Sequence, residues 1–263
     1  MYKVRSILVL FLLSLMHGCV AHAPWVQTNG PYGGMIKSFA VSGTYLFAGT
    51  SFDGVFRSTN NGTSWTAVNN GLTGLTSTSV CAIAVSPNGA GGTALFAGIY
   101  GGGVFRSTNN GTSWTAVNNG LTGLTSRNVH ALAVSGTNLF AGTWGGVFRS
   151  TNNGTSWTEV NNGLTNRNVF ALAVSPNGAG GTNLFAGTSG GGVFRSTNDG
   201  TSWTEVNNGL TDPNINALAV SGTNLFVGTE CGGGVFRSTN DGTSWTAVKN
   251  GLTNKMLTIT PLR

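Results

Sequence analysis

Three observations predict an all-β fold, a β-propeller of four-stranded antiparallel blades. The first is a repeat: Gly-Val-Phe-Arg-Ser-Thr-Asn-(Asn/Asp)-Gly-Thr-Ser-Trp-Thr occurs five times, with its tryptophans at Trp65, Trp114, Trp157, Trp203 and Trp245. The second is the period. Successive tryptophans stand 49, 43, 46 and 42 residues apart, which is the length of one four-stranded blade. The third is the interior of the period, where Gly and Asn interrupt every few residues and no apolar face recurs at helical spacing. Helical solenoids share the period but not that interior.

Within the third unit, strands are expected at Val129–Val134, Asn138–Thr143, Gly146–Thr151 and Trp157–Val160, each bounded by turn residues. The links Ser-Gly-Thr, Gly-Gly and Asn-Asn-Gly supply the left-handed conformations that tight hairpins require. A sheet with apolar residues on both faces must be covered on both, so blades stack face to face and a ring closes the stack. Five complete blades are expected, flanked by two fragments. Trp25-Val26, followed by Asn29-Gly30-Pro31-Tyr32-Gly33-Gly34, resembles a fourth strand, and Met256 to Ile259 resembles a first strand. Closure by five blades with decorated ends is the favoured expectation, and an incomplete sixth blade split between the ends is the alternative.

Composition fits this reading. Glycine is abundant at 42 residues, yet 40% of the chain is apolar and only 8% is charged, so a packed core is expected beneath a surface of hydroxyls and amides. Residues 1–23 read as a signal peptide: Lys3 and Arg5 precede an apolar run from Ile7 to Met16, which is too short to span a bilayer. Ala21-His22-Ala23 fits a cleavage site, while Gly18-Cys19 offers a lipoprotein ending with a lipid anchor at Cys19. The propeller then occupies 24–263, and a secreted or cell-envelope location (periplasm or cell surface) is expected, with no membrane span in the mature chain.

Removing Lys3 and Arg5 leaves 13 − 2 = 11 basic against 7 acidic residues, a charge of +4. Five of the arginines, Arg57, Arg106, Arg149, Arg195 and Arg237, recur at one position of the repeat. A ring would scatter them, so no nucleic-acid stripe is expected. Cys81 and Cys231 lie at unlike positions of non-neighbouring units, and no disulfide framework is expected.

Ser58-Thr59-Asn60-Asn61-Gly62-Thr63-Ser64-Trp65 resembles the Asp box, or BNR repeat, written Ser/Thr-x-Asp-x-Gly-x-Thr-Trp. The match recurs at Ser107–Trp114, Ser150–Trp157, Ser196–Trp203 and Ser238–Trp245, with Asn where the family has Asp. The resemblance is to propellers of sialidases, sortilin-like receptors, xyloglucan-cleaving hydrolases and the photosystem II assembly factor. It implies a peripheral hairpin between third and fourth strands, away from any active centre. Ser58, Asn60 and Gly62 are expected to close the turn, and Trp65, Trp114, Trp157, Trp203 and Trp245 to anchor the fourth strands. The repeated arginines precede this hairpin and are expected to pack near it, unlike the convergent arginines of sialidases.

Positions that differ between near-identical units are those the blade's own packing leaves free. One set begins the first strand: Lys37, Cys81, His130, Phe170 and Asn216. The other lies between second and third strands: Phe52-Asp53, Tyr100, Trp144, Ser189 and Glu230-Cys231. Propeller topology puts both on one face, where aromatics with a few polar groups suit a sugar ring or a peptide. The ligand-binding candidates are therefore Phe52, Tyr100, Trp144, Lys37, His130, Phe170 and Asn216. Drift of loop residues after duplication is the competing explanation.

Chemistry is sparse. Of the acids Asp53, Glu159, Asp199, Glu205, Asp212, Glu230 and Asp241, only Asp53 and Glu230 form a candidate catalytic pair, in equivalent loops of the first and last units. His130, with Cys81 and Cys231, falls short of a zinc site, and no serine elbow is present. No metal or cofactor is expected. The leading function is a non-catalytic extracellular or envelope module that recognises a glycan, peptide or protein partner. A sialidase-like or endoglycanase-like hydrolase, and an assembly factor resembling the photosystem helper, are the alternatives.

Overall fold

A computed structural model describes residues 28–31, 34–73, 78–87, 92–123, 125–177, 180–230, 233–248 and 250. The signal region with Cys19, the fragments at Trp25-Val26 and Met256–Ile259, and Cys231 lie outside the described residues. Twenty strands form five four-stranded antiparallel sheets, each in chain order. Blade 1 holds β1–β4 (Ile36–Ser42, Tyr45–Thr50, Val55–Ser58, Thr66–Ala67), and blade 2 holds β5–β8 (Val80–Pro87, Thr93–Ile99, Gly103–Ser107, Thr115–Ala116). Blade 3 holds β9–β12 (Val129–Ser135, Asn138–Thr143, Gly146–Ser150, Thr158–Glu159). Blade 4 holds β13–β16 (Val169–Pro176, Thr182–Thr188, Gly192–Ser196, Thr204–Glu205), and blade 5 holds β17–β20 (Ile215–Ser221, Asn224–Thr229, Val235–Ser238, Thr246–Ala247). The chain is an all-β propeller of five blades. In the third unit the expected strands stand, except that the fourth contracts to Thr158–Glu159, the Trp157 amide donating instead to the Asn119 carbonyl of the preceding blade at 2.8 Å.

The repeated hairpin forms through its own side chains. In blade 1 the Ser58 hydroxyl accepts from the Gly62 amide at 2.9 Å and donates to Asn60 Oδ1 at 2.9 Å. Asn60 Oδ1 also accepts from the Ser64 amide at 2.9 Å, and its amide nitrogen donates to Ser64 Oγ at 2.9 Å. Asn61 and Gly62 both take left-handed backbone, at φ 53° and 85°. That demand explains why the first position is always Asn or Asp and the second always Gly. The same bonds recur in all five units.

Four of the tryptophans bond between blades. The indole of Trp114 donates to the Val68 carbonyl of the preceding blade at 2.8 Å, and Trp157, Trp203 and Trp245 repeat this onto Val117, Val160 and Val206. These four rings are buried. A buried indole needs an acceptor, and the neighbouring blade supplies it. The arginines cross in the other direction. Arg57, Arg106, Arg149 and Arg195 donate to the carbonyls of Asn110, Asn153, Asp199 and Asp241 in the following blade at 2.8–3.0 Å.

First strands of consecutive blades pack side by side along the axis, and four buried clusters bind blade 1 to 2, 2 to 3, 3 to 4 and 4 to 5. Phe47, Phe96, Phe140 and Phe185, at equivalent places in the second strands, are fully buried, each contributing about 1.5–3 kcal/mol. Among the described residues no buried cluster joins blade 5 to blade 1, so the described strands form an open arc where a closed ring of five is the favoured expectation. The outward faces are bare: Phe39 and Val41 of β1 are 65% and 64% exposed, and Ala217 and Ala219 of β17 are exposed where their counterparts in blades 2 to 4 are buried. At the first end, Asn29 bridges Ser64 and donates to Thr63 O at 3.2 Å.

Candidate functional site

The five variable first-strand residues share a structural device. Pairing of first and second strands slips once per blade, between Ile36 and Ser38, Val80 and Ala82, Val129 and Ala131, Val169 and Ala171, and Ile215 and Ala217. The residue left out of the ladder is Lys37, Cys81, His130, Phe170 or Asn216. Each is the extra residue of a β-bulge, a feature that bends the strand and re-aims one side chain. The bulge frees this position from cross-strand pairing, which accounts for its variability between units.

The second variable set is tied to the same end. Amides of Ser51, Tyr100, Ser189 and Glu230 donate to the carbonyls of Met35, Ser79, Asn168 and Asn214, one or two residues ahead of the bulges, at 3.0 Å. In blades 1, 2, 4 and 5 the second-to-third-strand loop is thereby held beside the bulge of its own blade. In blades 2 to 4 the rings meet. His130 stacks on Trp144 with centroids 5.7 Å apart and an interplanar angle of 25°, and its other side lies 4.5 Å from the Phe170 ring. Tyr100 closes edge-on against Trp144 at 5.4 Å and His130 at 5.8 Å. Tyr100 and Trp144 remain 37% and 36% exposed, so the cluster presents two aromatic rims to solvent over a half-buried imidazole and phenyl ring.

Burial sets the protonation of this cluster. The His130 pKa is lowered to about 4, first by desolvation and then by the Lys37 ammonium, so the imidazole is neutral at pH 7. Its Nε2 is buried without a hydrogen-bond partner. Burial pushes the Cys81 thiol up, against smaller opposing effects of Ser79, Lys37 and the Tyr100 backbone. Cys81 is a free, half-buried thiol and remains protonated. The Lys37 ammonium of blade 1 acts on both Cys81 and His130.

The other candidates stand apart. Phe52 is 70% exposed and packs over Gly34, outside the ring cluster. Asn216 is exposed at the open end of blade 5. Asp53 and Glu230 sit in the loops of blades 1 and 5, the two ends of the arc, and the structure does not join those blades. Among the described residues no seam joins these two blades, so nothing there brings the acids together as a closed ring would. Four of the repeated arginines lie in successive interblade seams, the fifth, Arg237, is exposed on blade 5, and they do not converge. Sequence reasoning missed the bulges, whose signal is a cross-strand register no single strand displays.

No family model and no curated protein matches the chain. Solved structures do. The extracellular domain of BT4673 from B. thetaiotaomicron, described as a one-component system, aligns at TM-score 0.64 and 19% identity over 81% of this chain and 28% of that one. An ancestral GH74 enzyme aligns at TM-score 0.65 and 25% identity, over 88% of this chain and 33% of its own. YCF48 bound to a D1 peptide aligns at TM-score 0.58 and 18% identity, over 84% and 70% respectively. The chain thus spans about a third or less of the sensor and GH74 proteins it resembles, and what it shares with all three is a β-propeller.

Proposed function

We propose that this protein is a non-catalytic recognition module of the cell exterior or envelope. Its ligand, a glycan or a peptide, seats on the aromatic end formed by Tyr100, His130, Trp144 and Phe170. The observation that carries this reading is the convergence of four rings from three blades, two at bulged, unpaired positions and two in the adjoining loops. The blade's own packing does not require them, and two stay open to solvent. Stacking on such rims contributes about 0.5–1.5 kcal/mol per ring beyond area burial, and the neutral imidazole beneath keeps the platform apolar at pH 7. Propellers of similar architecture include an extracellular sensor domain and a peptide-bound chain, which agrees with export and with binding. The repeated hairpins are read as Asp boxes with a purely structural role.

Screening the protein on glycan and peptide arrays tests the reading, with Tyr100→Ala/Trp144→Ala as the comparison. The double variant should lose at least tenfold in affinity for any hit, and an unchanged affinity removes the site. The likeness to a GH74 enzyme keeps a hydrolase as the second reading, with Asp53 and Glu230 as its only candidate acids. Turnover of a xyloglucan or fluorogenic glycoside that disappears in Asp53→Asn would replace the binding-only reading.

A further inference from the structure

The two bare ends of the arc carry matching halves of the interface that recurs four times inside it. In each interior seam the first residue of a first strand, Val80, Val129, Val169 or Ile215, is fully buried against a glycine of the preceding blade. The glycines are Gly49, Gly98, Gly142 and Gly187, where an added Cβ would fall 2.5–2.7 Å from that side chain. Blade 5 presents the fifth such glycine, Gly228, with only its own Ala217 within 4 Å. Blade 1 presents the fifth insert, Ile36, only partly buried. The pattern continues across the strand. Ala84 shares a buried cluster with Leu132 and Val134 of the next blade, and the uncovered counterparts are Ala219 on blade 5 and Phe39 and Val41 on blade 1.

The polar contacts are also split in half. Arg237 is exposed and lacks the following-blade carbonyl that the other four arginines bond, while the equivalent carbonyl, that of Asn61, sits on blade 1. Trp65 is the one repeat tryptophan whose buried Nε1 has no acceptor, and the carbonyl equivalent to its missing partner is that of Val248 on blade 5. A buried donor left unpaired costs about 1–3 kcal/mol. Blade 5 therefore offers the sockets and blade 1 the inserts, in one register, at four independent places.

We propose that the fifth blade of one copy docks on the first blade of a second copy, head to tail, through this fifth instance of the blade contact surface. Bending the arc until its own ends meet would require the same reorientation at all four interior seams, which are packed to van der Waals contact at their glycines. A second copy satisfies both ends with the interior seams unchanged. Such a contact is heterologous, so it propagates into an open helical stack or a larger ring rather than stopping at a symmetric dimer. Residues 28–30, which occupy the rim beside Ser64, give way to the end of the incoming fourth strand.

The test is a cysteine pair, Val41→Cys with Ala219→Cys, in a chain carrying Cys19→Ser, Cys81→Ser and Cys231→Ser. The interior equivalent, Ala84→Cys with Val134→Cys, serves as the control for geometry, and the bridging yield of the end pair is read relative to it. Oxidation should give dithiothreitol-reversible species of two or more chains, and adding Phe39→Glu, at a surface position that folding does not need, should return them to single-chain mass. Light scattering of the wild-type protein should show a mass above one chain that rises with concentration. A bridge confined to single chains would show that the arc closes on itself, and no bridge while the control forms one would show that the ends stay apart. Either result overturns the proposal.

Discussion

Asn152 shows how an amide serves a hairpin that usually has a carboxylate. Its Oδ1 accepts from the Ser150 hydroxyl and the Ser156 amide, both at 2.9 Å, while its Nδ2 donates to Ser156 Oγ. In Asn152→Asp both acceptor bonds persist and the Ser156 hydroxyl turns to donate, so a change within about 0.5 kcal/mol is expected. Ser150→Ala is different, because the buried Gly154 amide loses its acceptor, at a cost of about 1–3 kcal/mol. Urea unfolding of the two variants checks the contrast, and equal destabilisation would refute it. His130 supports a prediction in pH. Its folded pKa of about 4 lies below the unfolded value near 6.5. As pH falls from 6.5 to 4 the unfolded chain binds a proton that the folded chain refuses. Stability is therefore level above pH 6.5, declines through that window and levels again below pH 4. The full shift corresponds to about 3 kcal/mol, which partial exposure reduces to about 1–2 kcal/mol. With only seven Asp and Glu in the chain, this slope should stand out, and His130→Phe should flatten the urea midpoint between pH 4 and 6.5.

At the scale of the element, the second strand's glycine and the hairpin's tryptophan define the seams. Gly142→Ala would drive a Cβ to 2.7 Å from Val169 Cγ1, whereas Gly228→Ala meets nothing closer than Ala217 at 3.6 Å. In the single-chain Phe39→Glu background the first should cost about 1–3 kcal/mol through overpacking, and the second should lie within about 0.5 kcal/mol of its parent. Thermal melts of the pair decide it, since strand propensity would move both alike. Blade identity was legible because period, turn residues and alternating apolar runs all reside in consecutive residues. The variable residues were equally legible, since near-identical units expose what each blade does not need. The bulge was hidden because it belongs to the pairing of two strands, as between Val129/Ala131 and Thr143/Gly142. The reach of Trp157 to Val117 O and of Arg106 to Asn153 O across seams was hidden likewise. Closure was misjudged for a related reason: the angle between blades depends on how Leu132 and Val134 seat beside Ala84, a matter of packing with no trace in the repeat length.

At the scale of the molecule, five nearly identical units joined by four nearly identical seams behave as a one-dimensional array, whose local stability is set by how many seams a blade shares. Blades 2, 3 and 4 each share two, while blades 1 and 5 share one and leave Phe39, Val41, Ala217 and Ala219 bare. Intrinsic differences are small, because the same strand sequences recur, so the seam count should dominate. Amide hydrogen exchange in the single-chain Phe39→Glu variant should then be slowest in β10 and β14 and fastest in β2 and β18, although all four carry the sequence Asn/Tyr-Leu-Phe-Ala/Val-Gly-Thr. Opening of an end blade forfeits one seam and opening of a middle blade forfeits two, so protection should differ by the free energy of roughly one seam. If docking of copies supplies the missing seam, wild-type protein at high concentration should raise protection selectively in blades 1 and 5 and leave blade 3 unmoved. Uniform protection along the chain at low concentration would mean that the ends are covered within a single copy, and the arc would have to be read as a closed ring.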